Sequence, residues 1–484
     1  MVSTSPDTLH GYTDLFIGGK WTTPSTSNTF EVISPTTEEE LATVPAGATA
    51  DIDLAVSMAR KAFDEGPWPR MTPAERAEAM RRVSEGLERR IPDLNAAFTA
   101  EIGAPGAVGE GFHSQALKVW NESLEYHKYF AFEESREWPG GSGRVIREPI
   151  GVVAVVLPWN GPVTLAALKI APALAAGCTV VVKPAPEGPL TSMILAEIFE
   201  AAKLPEGVIS IIPADREVGE HLVKHHDVDK VNFTGSTLAG KRIMSICGER
   251  IARVALELGG KSAAIIADDI DLDSVFPELV FHGIGHSGQV CSALTRILVP
   301  RERQTEVVQR IKDIMESTTV GDPRDPSTII GPLAMERQRT RVENYIAVGK
   351  EEGARLITGG GRPKNLKRGW FVEPTLFADV TPKMRIAQEE IFGPVLAVLP
   401  FDGLDDAIQI ANDSDFGLSG AIYAKDIALA EQLASRVRAG QICINSWQAN
   451  ISQPYGGYKQ SGLGRDGGIE GFAEYFETKV IQHV

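Results

Sequence analysis

The chain has 484 residues, 43% of them hydrophobic and 23% charged, and its formal net charge is −16. This length suggests two to four domain-sized units, and the composition is that of a globular protein that can bury a large core without disulfides or metals. The acidic balance argues against nucleic-acid binding, because a phosphate-binding face needs concentrated Lys and Arg.

Cysteine usage fits a reducing compartment. The four cysteines are Cys178, Cys247, Cys291 and Cys443; none forms a C-x-x-C pair, and none has a histidine at zinc-finger spacing. We therefore expect a cytoplasmic protein with neither a disulfide framework nor a structural metal. Cys291 lies in GQVCS at 288–292, and a core filler, a disulfide half, a metal ligand and a nucleophile are all open for it at this point.

Helical and strand patterns alternate along the chain. In the N-terminal third, Thr72, Pro73 and Glu75 form the N-cap, first-turn proline and capping-box signature of a helix. From about residue 151, β-branched runs such as GVVAVVLP and KVNFTG alternate with helical segments, which predicts a parallel sheet covered on both faces. From about residue 259, runs such as TRILVP and SGAIYA repeat this alternation and predict a second α/β domain.

Residues 162–182 form the one stretch that could be mistaken for a membrane span. Pro172 and Gly177 interrupt it, and residues 180–182 are typical of a strand, so the sequence predicts a buried helix followed by a buried strand. Lys169 lies inside this apolar stretch, and a buried charge is costly unless it is paired or functional. Neither a membrane span nor a signal peptide is predicted.

Three glycine-containing segments are candidates for holding a dinucleotide. GIGHSG at 283–288 and GLGRDG at 462–467 match G-x-G-x-x-G, but neither has the strand before it and the helix after it that the fingerprint requires. FTGSTLAG at 233–240 follows a predicted strand and begins a predicted helix near Ser236, whose N–H groups and dipole suit a pyrophosphate. An ordinary strand–turn–helix joint is the alternative interpretation.

Seven segments together resemble the NAD(P)-dependent aldehyde dehydrogenase superfamily, of the hydrolytic, non-acylating type, from about residue 15 to the end. They occur in the family's order and at nearly its spacings, which a chance match does not produce. The segments are LPWN at 157–160, VVKP at 181–184, FTGSTLAG at 233–240, LELGGKS at 256–262, GQVCS at 288–292, EEIFGP at 389–394 and GGYKQSGLGR at 456–465.

The resemblance implies a catalytic set. Cys291 is the implied nucleophile, since a thiolate adds to an aldehyde carbon to give a thiohemiacetal. The Asn160 amide and the Cys291 N–H would hold the developing oxyanion, and Glu257 would activate the water that hydrolyses the thioester. Lys169 and Asp466 match positions proposed in the family as a proton path behind the base, although a buried salt bridge would use the same residues.

The resemblance also implies an NAD(P) site. Its residues are Leu157, Trp159, Lys183, Gly235, Ser236, Leu258, Gly259, Glu390 and Phe392. Lys183 would bond the adenine-side ribose, and Glu390 the hydroxyls of the nicotinamide ribose. Many NAD-preferring members carry a glutamate three residues after this lysine, where the present chain has Pro186. NAD is the expected cofactor, because Asp215 opposes a 2′-phosphate, and NADP is left open, because Arg216 favours one.

The substrate class follows by alignment to the family. The aldehyde tunnel residues are Gly161, Leu165, Leu168, Val290 and Tyr455. Tyr455 is the one large aromatic residue left on this path, which favours a medium or bulky hydrophobic aldehyde. A CoA-acylating semialdehyde dehydrogenase and a non-catalytic NAD-binding structural protein are the alternatives. The presence of Cys291, Asn160 and Glu257 together favours the hydrolytic enzyme.

The implied architecture has three parts. They are a Rossmann-like NAD(P)-binding domain (1–127 and 149–258), an α/β catalytic domain (259–460) and a small β-flap oligomerisation element (128–148 and 461–484). The glycine-rich stretch 139–149 is predicted to form a projecting hairpin. A hairpin cannot bury its apolar face alone, so we expect a homo-oligomer, a tetramer or a dimer. The expected partners are a small-molecule aldehyde and further copies of the chain, with no nucleic acid or membrane.

Overall fold

The computed structural model describes residues 9–267, 270–447, 450 and 452–483. Its helices are α1 (Thr49–Asp64), α2 (Pro73–Ile102), α3 (Gly106–Glu125), α4 (Pro162–Ala176), α5 (Leu190–Ala202), α6 (Arg216–Lys224), α7 (Thr237–Glu249), α8 (Leu272–Ile284), α9 (Gln304–Ser317), α10 (Glu336–Glu351), α11 (Arg385–Gln388), α12 (Leu404–Asn412), α13 (Ile427–Ala434) and α14 (Gly468–Ala473). Across these described residues, no helix is both long enough and apolar enough to span a bilayer.

The strands belong mainly to two large sheets. They are β1 (Leu15–Ile17), β2 (Lys20–Thr22), β3 (Thr29–Ile33), β4 (Glu40–Pro45), β5 (Glu133–Trp138), β6 (Gly141–Pro149), β7 (Val152–Val156), β8 (Thr179–Lys183), β9 (Ile209–Ile211), β10 (Lys230–Thr234), β11 (Arg253–Glu257), β12 (Ser262–Ile266), β13 (Leu294–Pro300), β14 (Arg355–Thr358), β15 (Thr375–Ala378), β16 (Val395–Phe401), β17 (Ser419–Tyr423), β18 (Gln441–Ile444), β19 (Gly462–Leu463) and β20 (Phe476–His483).

The first sheet has the order β19-β11-β10-β7-β8-β9-β1-β2, and its five central strands run parallel. Val153 and Val155 of β7 face the core beneath α4 and α5, whereas Val152 and Ala154 face the core beneath α1 and α6. Helices therefore cover both faces, which confirms the predicted parallel sheet. The strand order reverses between β7 and β10, and open α/β sheets bind ligands beyond the carboxyl ends of their strands at such a point.

The second sheet has the order β14-β15-β16-β13-β12-β17-β18, and only β14 runs antiparallel to its neighbour. It packs against α10 and α12 on one face and α8 and α9 on the other. The predicted second α/β domain is thereby confirmed. Its strands β12 and β13 lead into and out of the segment that carries Cys291.

A third, three-stranded sheet joins the hairpin β5–β6 to β20 at the C-terminus. The turn between β5 and β6 lies at residues 139–140, within the stretch predicted as a hairpin. Sheet membership differs from the predicted boundary at residue 461. Gly462–Leu463 pairs with β11 and belongs to the first sheet, because the chain returns to this sheet before it reaches β20.

Local sequence signals account for the elements nearest the site. The α2 capping box is present as predicted, with Thr72 Oγ1 accepting from the Glu75 N–H. The apolar stretch 162–182 folds as α4 followed by β8, both buried, which confirms the predicted helix and strand. The Gly177 residue that ends α4 has φ of +102°, a conformation in which glycine has no side-chain penalty.

Candidate active site

Three chemically active side chains converge where the two large sheets meet. Asn160 lies in the loop between β7 and α4, Glu257 is the last residue of β11, and Cys291 lies between the turn at 285–288 and β13. The Asn160 Nδ2 donates to the Gln289 carbonyl at 3.0 Å, which ties the first domain to the cysteine segment. The carboxyl ends of β7 and β11 and the segment before β13 therefore meet at one place.

The Cys291 thiol is held in a largely apolar surrounding. Its side chain is partly exposed and packs against the core that contains Leu168 and Tyr455. The Sγ lies 3.6 Å from the Tyr455 hydroxyl. Burial raises the pKa of the Cys291 thiol to about 11, and the hydrogen bond to Tyr455 acts in the opposite direction. At neutral pH the thiol is therefore protonated, and a base has to remove its proton before it attacks a carbonyl.

Glu257 is a buried carboxyl whose side chain is only 5% exposed. Its Oε2 makes no hydrogen bond with any residue that the structure describes. Burial, followed by the nearby charge of Asp466, raises the pKa of Glu257 well above its usual range, while Lys169 and Arg465 act against this. A Cβ at Gly456 would come within 2.6 Å of Glu257 Oε1, so only glycine leaves this carboxyl its room. A carboxyl with a raised pKa and a buried oxygen that lacks a hydrogen-bond partner suits proton exchange with a water molecule.

Lys169 and Asp466 form a buried ion pair next to Glu257. The Lys169 Nζ donates to Asp466 Oδ2 and, at 2.8 Å, to Asn232 Oδ1. The Asn232 Nδ2 donates to Tyr475 at 2.8 Å and to Asp466 at 3.2 Å, and the Tyr475 hydroxyl donates to the Lys169 carbonyl at 3.1 Å. Lys169, the charged residue within α4, is thus paired with a carboxylate, as a buried charge requires. The two predicted residues lie together, and their proton-path role stays a prediction.

Most of the predicted cofactor residues lie at or just beyond the carboxyl ends of strands of the first sheet, and their cofactor role stays a prediction. Lys183 ends β8, and burial lowers the pKa of its ammonium group to about 8. Gly235 and Ser236 follow β10, and the Ser236 Oγ caps α7 by accepting from the Ala239 N–H at 3.3 Å. Trp159 packs edge-to-face on Phe392, with ring centroids 5.6 Å apart.

The other cofactor candidates are held by contacts with neighbouring strands, loops and helices. The Glu390 Oε1 accepts from the Gly260 N–H at 3.1 Å, and a Cβ at Gly259 would lie 2.5 Å from Glu390 Oε2. The Leu157 N–H donates to the Lys183 carbonyl, and Leu258 is buried against α7. A buried ammonium group, a capped helix start and a carboxylate on one cleft are the donors and acceptors that the phosphates and ribose hydroxyls of a dinucleotide require.

The five predicted tunnel residues come from three segments of the chain, and their tunnel role stays a prediction. Leu168 and Tyr455 belong to the core that Leu165 and Cys291 contact, whereas Val290 is half-buried and lies outside that cluster. A Cβ at Gly161 would meet only Leu165 Cδ1, at 4.0 Å. The absence of a side chain at this position therefore leaves open space next to Leu165.

The two rejected glycine motifs have packing roles. Gly283 lies in α8, and Gly288 packs on the Gly393 backbone. Gly462 lies against the Leu256 carbonyl, where β19 joins the first sheet. Sequence reasoning missed one polar residue inside the first motif, His286, which is 2% exposed and donates from Nε2 to the Asn160 carbonyl at 2.9 Å. A histidine among glycines after an apolar helix was the available signal.

Comparison with known proteins agrees with this geometry. The model of the aldehyde dehydrogenase family matches residues 21–481. The geranial dehydrogenase of Castellaniella defragrans is 43% identical over 472 residues, which cover 96% of this chain and 98% of that protein. The crystal structure of a Mycobacterium tuberculosis aldehyde dehydrogenase complexed with NAD+ superposes with a TM-score of 0.96 at 46% identity and covers 98% of both chains.

A third relative was solved with an aldehyde bound. The structure of a cysteine-to-alanine mutant of aldehyde dehydrogenase C from Pseudomonas syringae, in complex with NAD+ and octanal, has a TM-score of 0.94 at 38% identity. It covers 99% of this chain and 97% of that one. With a family match over nearly its whole length and with Cys291, Asn160 and Glu257 gathered in one pocket, the chain belongs to the aldehyde dehydrogenase family.

Proposed function

We propose that this aldehyde dehydrogenase oxidises a medium or bulky hydrophobic aldehyde to the carboxylic acid, with a covalent intermediate on Cys291 and with NAD+ as cofactor. The observation that carries the proposal is the meeting of the Cys291 thiol, the Asn160 amide and the Glu257 carboxyl beside a cleft suited to a dinucleotide. The test is formation of NADH from an aldehyde panel, with both NAD+ and NADP+ as cofactors.

The first half of the reaction uses Cys291 and Asn160. After loss of its proton, the Cys291 sulfur forms a bond to the aldehyde carbon, and the carbonyl electrons move to oxygen. The second N–H of the Asn160 amide and the backbone N–H of Cys291 donate to this oxygen. When bound, NAD+ supplies the acceptor for the hydride that leaves the tetrahedral carbon. The product on the enzyme is a thioester of Cys291.

The second half uses Glu257. Its carboxylate accepts a proton from a water molecule, whose oxygen attacks the thioester carbon, and the C–S bond breaks to return the thiolate and release the acid. The open Oε2 and the raised pKa of Glu257 support this role. A CoA-dependent acyl transfer would not need such a base. NADH formation at full rate without CoA therefore supports hydrolysis, and a strict requirement for CoA contradicts it.

The room beside Gly161 supports the substrate class. Leu165 borders this space and packs against the core that contains Leu168 and Tyr455, and the Tyr455 hydroxyl lies at the thiol. Octanal in the Pseudomonas syringae structure and the geranial of the Castellaniella name are aldehydes of this class. Each well-buried methylene adds about 0.8 kcal/mol to binding, or roughly fourfold to kcat/KM where it acts in the transition state.

A substitution at Gly161 tests the substrate class directly. Gly161→Phe fills the open space, so we expect kcat/KM for branched or aromatic aldehydes to fall by at least about tenfold and that for acetaldehyde to change less. Leu165→Ala, which enlarges the same region, is the matched control. A parent enzyme that is most active on acetaldehyde, or on a semialdehyde with a carboxylate, contradicts the proposal.

Charges around Lys183 support a partial preference for NAD+ over NADP+. Glu187 and Asp215 are both close enough to Lys183 to oppose the lowering of its pKa. Their negative charge disfavours a 2′-phosphate, but Glu187 is already paired with Arg337 across the cleft. We expect kcat/KM to be higher with NAD+ than with NADP+, and we expect Glu187→Gln to reduce the ratio of these two values. A parent preference for NADP+ of more than about tenfold, roughly 1.4 kcal/mol, contradicts this.

Self-association and a cytoplasmic location are further parts of the proposal. The three-stranded sheet exposes Val480 (53%) and Ile481 (37%) on β20, and an exposed apolar strand of this kind suits a second copy of the chain. Light scattering should give the molar mass of a dimer or tetramer, and Val480→Asp should lower that molar mass. Leu54→Asp on α1, which is 44% exposed, is the control. The scattered cysteines support the location, which fractionation of the producing cells tests.

A further inference from the structure

His286 is a buried imidazole that the mechanism above does not use. It lies in the short turn Gly285–Gly288, five residues before Cys291, and is 2% exposed. Its Nε2 is 2.9 Å from the backbone carbonyl of Asn160. Because a carbonyl oxygen only accepts, Nε2 carries the proton and donates it.

The contact closes a ring of hydrogen bonds around the oxyanion donor. The Asn160 side chain donates to the Gln289 carbonyl at 3.0 Å. The Gln289 backbone N–H donates to the His286 carbonyl at 3.0 Å, and the His286 ring donates back to the Asn160 carbonyl. Both the backbone and the side chain of Asn160 are therefore anchored to the cysteine loop, and one N–H of its amide stays available for a substrate oxygen.

The imidazole itself has a fixed position. Its ring centroid lies 5.4 Å from that of Phe98 and 5.7 Å from that of Phe112. His286 and Ser287 have φ of +52° and +55°, values that residues other than glycine seldom adopt, and the Ser287 Oγ donates to the Gly331 carbonyl at 2.8 Å. Burial lowers the pKa of His286 to about 4, so the ring remains a neutral donor across the working pH range of most enzymes.

We propose that His286 is a positioning residue for the oxyanion site: its N–H holds the Asn160 backbone so that the free N–H of the side chain points at the oxygen of the Cys291 adduct. This inference rests on the proposed role of Asn160. Loss of the donor leaves the Asn160 carbonyl without its partner and lets the loop shift, and a displacement of about 1 Å at a reacting group can cost about 10²-fold in rate. Cofactor binding should not depend on it.

His113 is a matched control for the burial and the aromatic contact. It is 3% exposed, its ring lies 5.6 Å from Phe98, and burial lowers its pKa to about 4. Its hydrogen bond goes to Asn95 rather than to the active site. His286→Phe and His113→Phe thus make the same change of a buried ring, and only the first removes the link to Asn160.

The experiment measures the single-turnover rate of NADH formation, NAD+ affinity and thermal midpoint for His286→Phe, His286→Gln and His113→Phe. We expect His286→Phe to slow the single turnover by between about tenfold and about 10²-fold with unchanged NAD+ affinity. His286→Gln keeps an N–H donor and should recover part of the rate. His113→Phe should keep the parent rate even if its thermal midpoint falls as far as that of His286→Phe.

A double-mutant cycle separates positioning from general damage. Asn160→Ala should itself slow the turnover by about 10²- to 10³-fold, and His286→Phe should add less than about twofold to that loss, because both act through one group. Equal loss in His113→Phe and His286→Phe, or multiplicative losses in the double mutant, overturn the positioning role alone. An Asn160→Ala enzyme with the parent rate overturns the proposed role of Asn160 instead.

Discussion

Among single residues, Cys291 is the one on which all the chemistry depends. Cys291→Ala should abolish NADH formation and leave NAD+ binding intact, because Cys291 is not among the residues predicted to hold the cofactor. Cys178 and Cys247 are fully buried in the first domain and serve as controls. Their alanine variants should lose about 1 kcal/mol of packing and keep kcat. Stopped-flow assays and calorimetric titration with NAD+ check this, and activity in Cys291→Ala would contradict the mechanism.

Glu257→Gln should separate the two halves of the reaction. The amide cannot take a proton from water, so the variant should release about one NADH per site in a burst and then stall as a thioester. Intact-protein mass spectrometry should show the acyl adduct on Cys291. If Glu257 instead removes the thiol proton, the burst disappears with the steady rate and no adduct forms.

The raised pKa of Glu257 gives the steady rate a pH dependence. The protonated carboxyl cannot activate water, so kcat should rise as the pH increases through the elevated pKa. Profiles of kcat for the parent and Glu257→Gln, at saturating aldehyde and NAD+, check this. The same inflection in both enzymes would assign it to another group.

The buried histidines predict a loss of stability in acid. Burial lowers the pKa of both His113 and His286 to about 4, whereas an exposed histidine titrates near about 6.5. As the pH falls from about 6.5 to about 4, the two histidines bind protons in the unfolded chain but stay neutral in the folded chain. The free energy of unfolding therefore decreases. Urea unfolding should show a shallower decrease for His113→Phe. Parallel curves for variant and parent would contradict the assignment.

At the scale of elements, the α2 cap is the local feature with the clearest expected cost. Thr72 and Glu75 exchange hydrogen bonds at the start of a 30-residue helix that packs on α3, α4 and α5. Thr72→Ala should lower the free energy of unfolding by about 1 kcal/mol, and Thr72→Ser should restore it. Chemical denaturation checks both, and kcat should be the same in all three proteins.

Elements with local signals could be predicted from the sequence, and elements without them could not. About a dozen residues of sequence are enough to recognise each of three features: the capping box of α2, the apolar run of α4 and the strand–turn–helix at Ser236. Strand β19 has two residues and exists only because it pairs with Leu256 and Glu257, far away in the chain. No periodicity can show so short a strand.

The same distinction applies to the site. Cys291, Asn160 and Glu257 lie in motifs whose order along the chain resembles a family, so the resemblance could single them out. His286 acts on the carbonyl of a residue 126 positions away. This hydrogen bond goes to a main-chain carbonyl, which every residue has, so the residue type at position 160 gives no sign of it. Only the folded structure could show that contact.

At the scale of the whole molecule, the pocket is assembled from segments that enter it from both large sheets. β7 and β11 of the first sheet bring Asn160 and Glu257, and the segment between β12 and β13 of the second brings Cys291. Any change in the angle between the sheets is therefore expected to move Cys291 relative to Asn160 and Glu257.

The return of the chain to the first sheet also sets an order of events during synthesis. Asp466, which neutralises the buried Lys169, lies 297 residues after it. A ribosome that has made the entire first domain still holds a core with an ammonium group and no counter-charge, a costly arrangement in an apolar interior. We therefore expect the region around Lys169 and Glu257 to reach its final packing only after Asp466 has been synthesised.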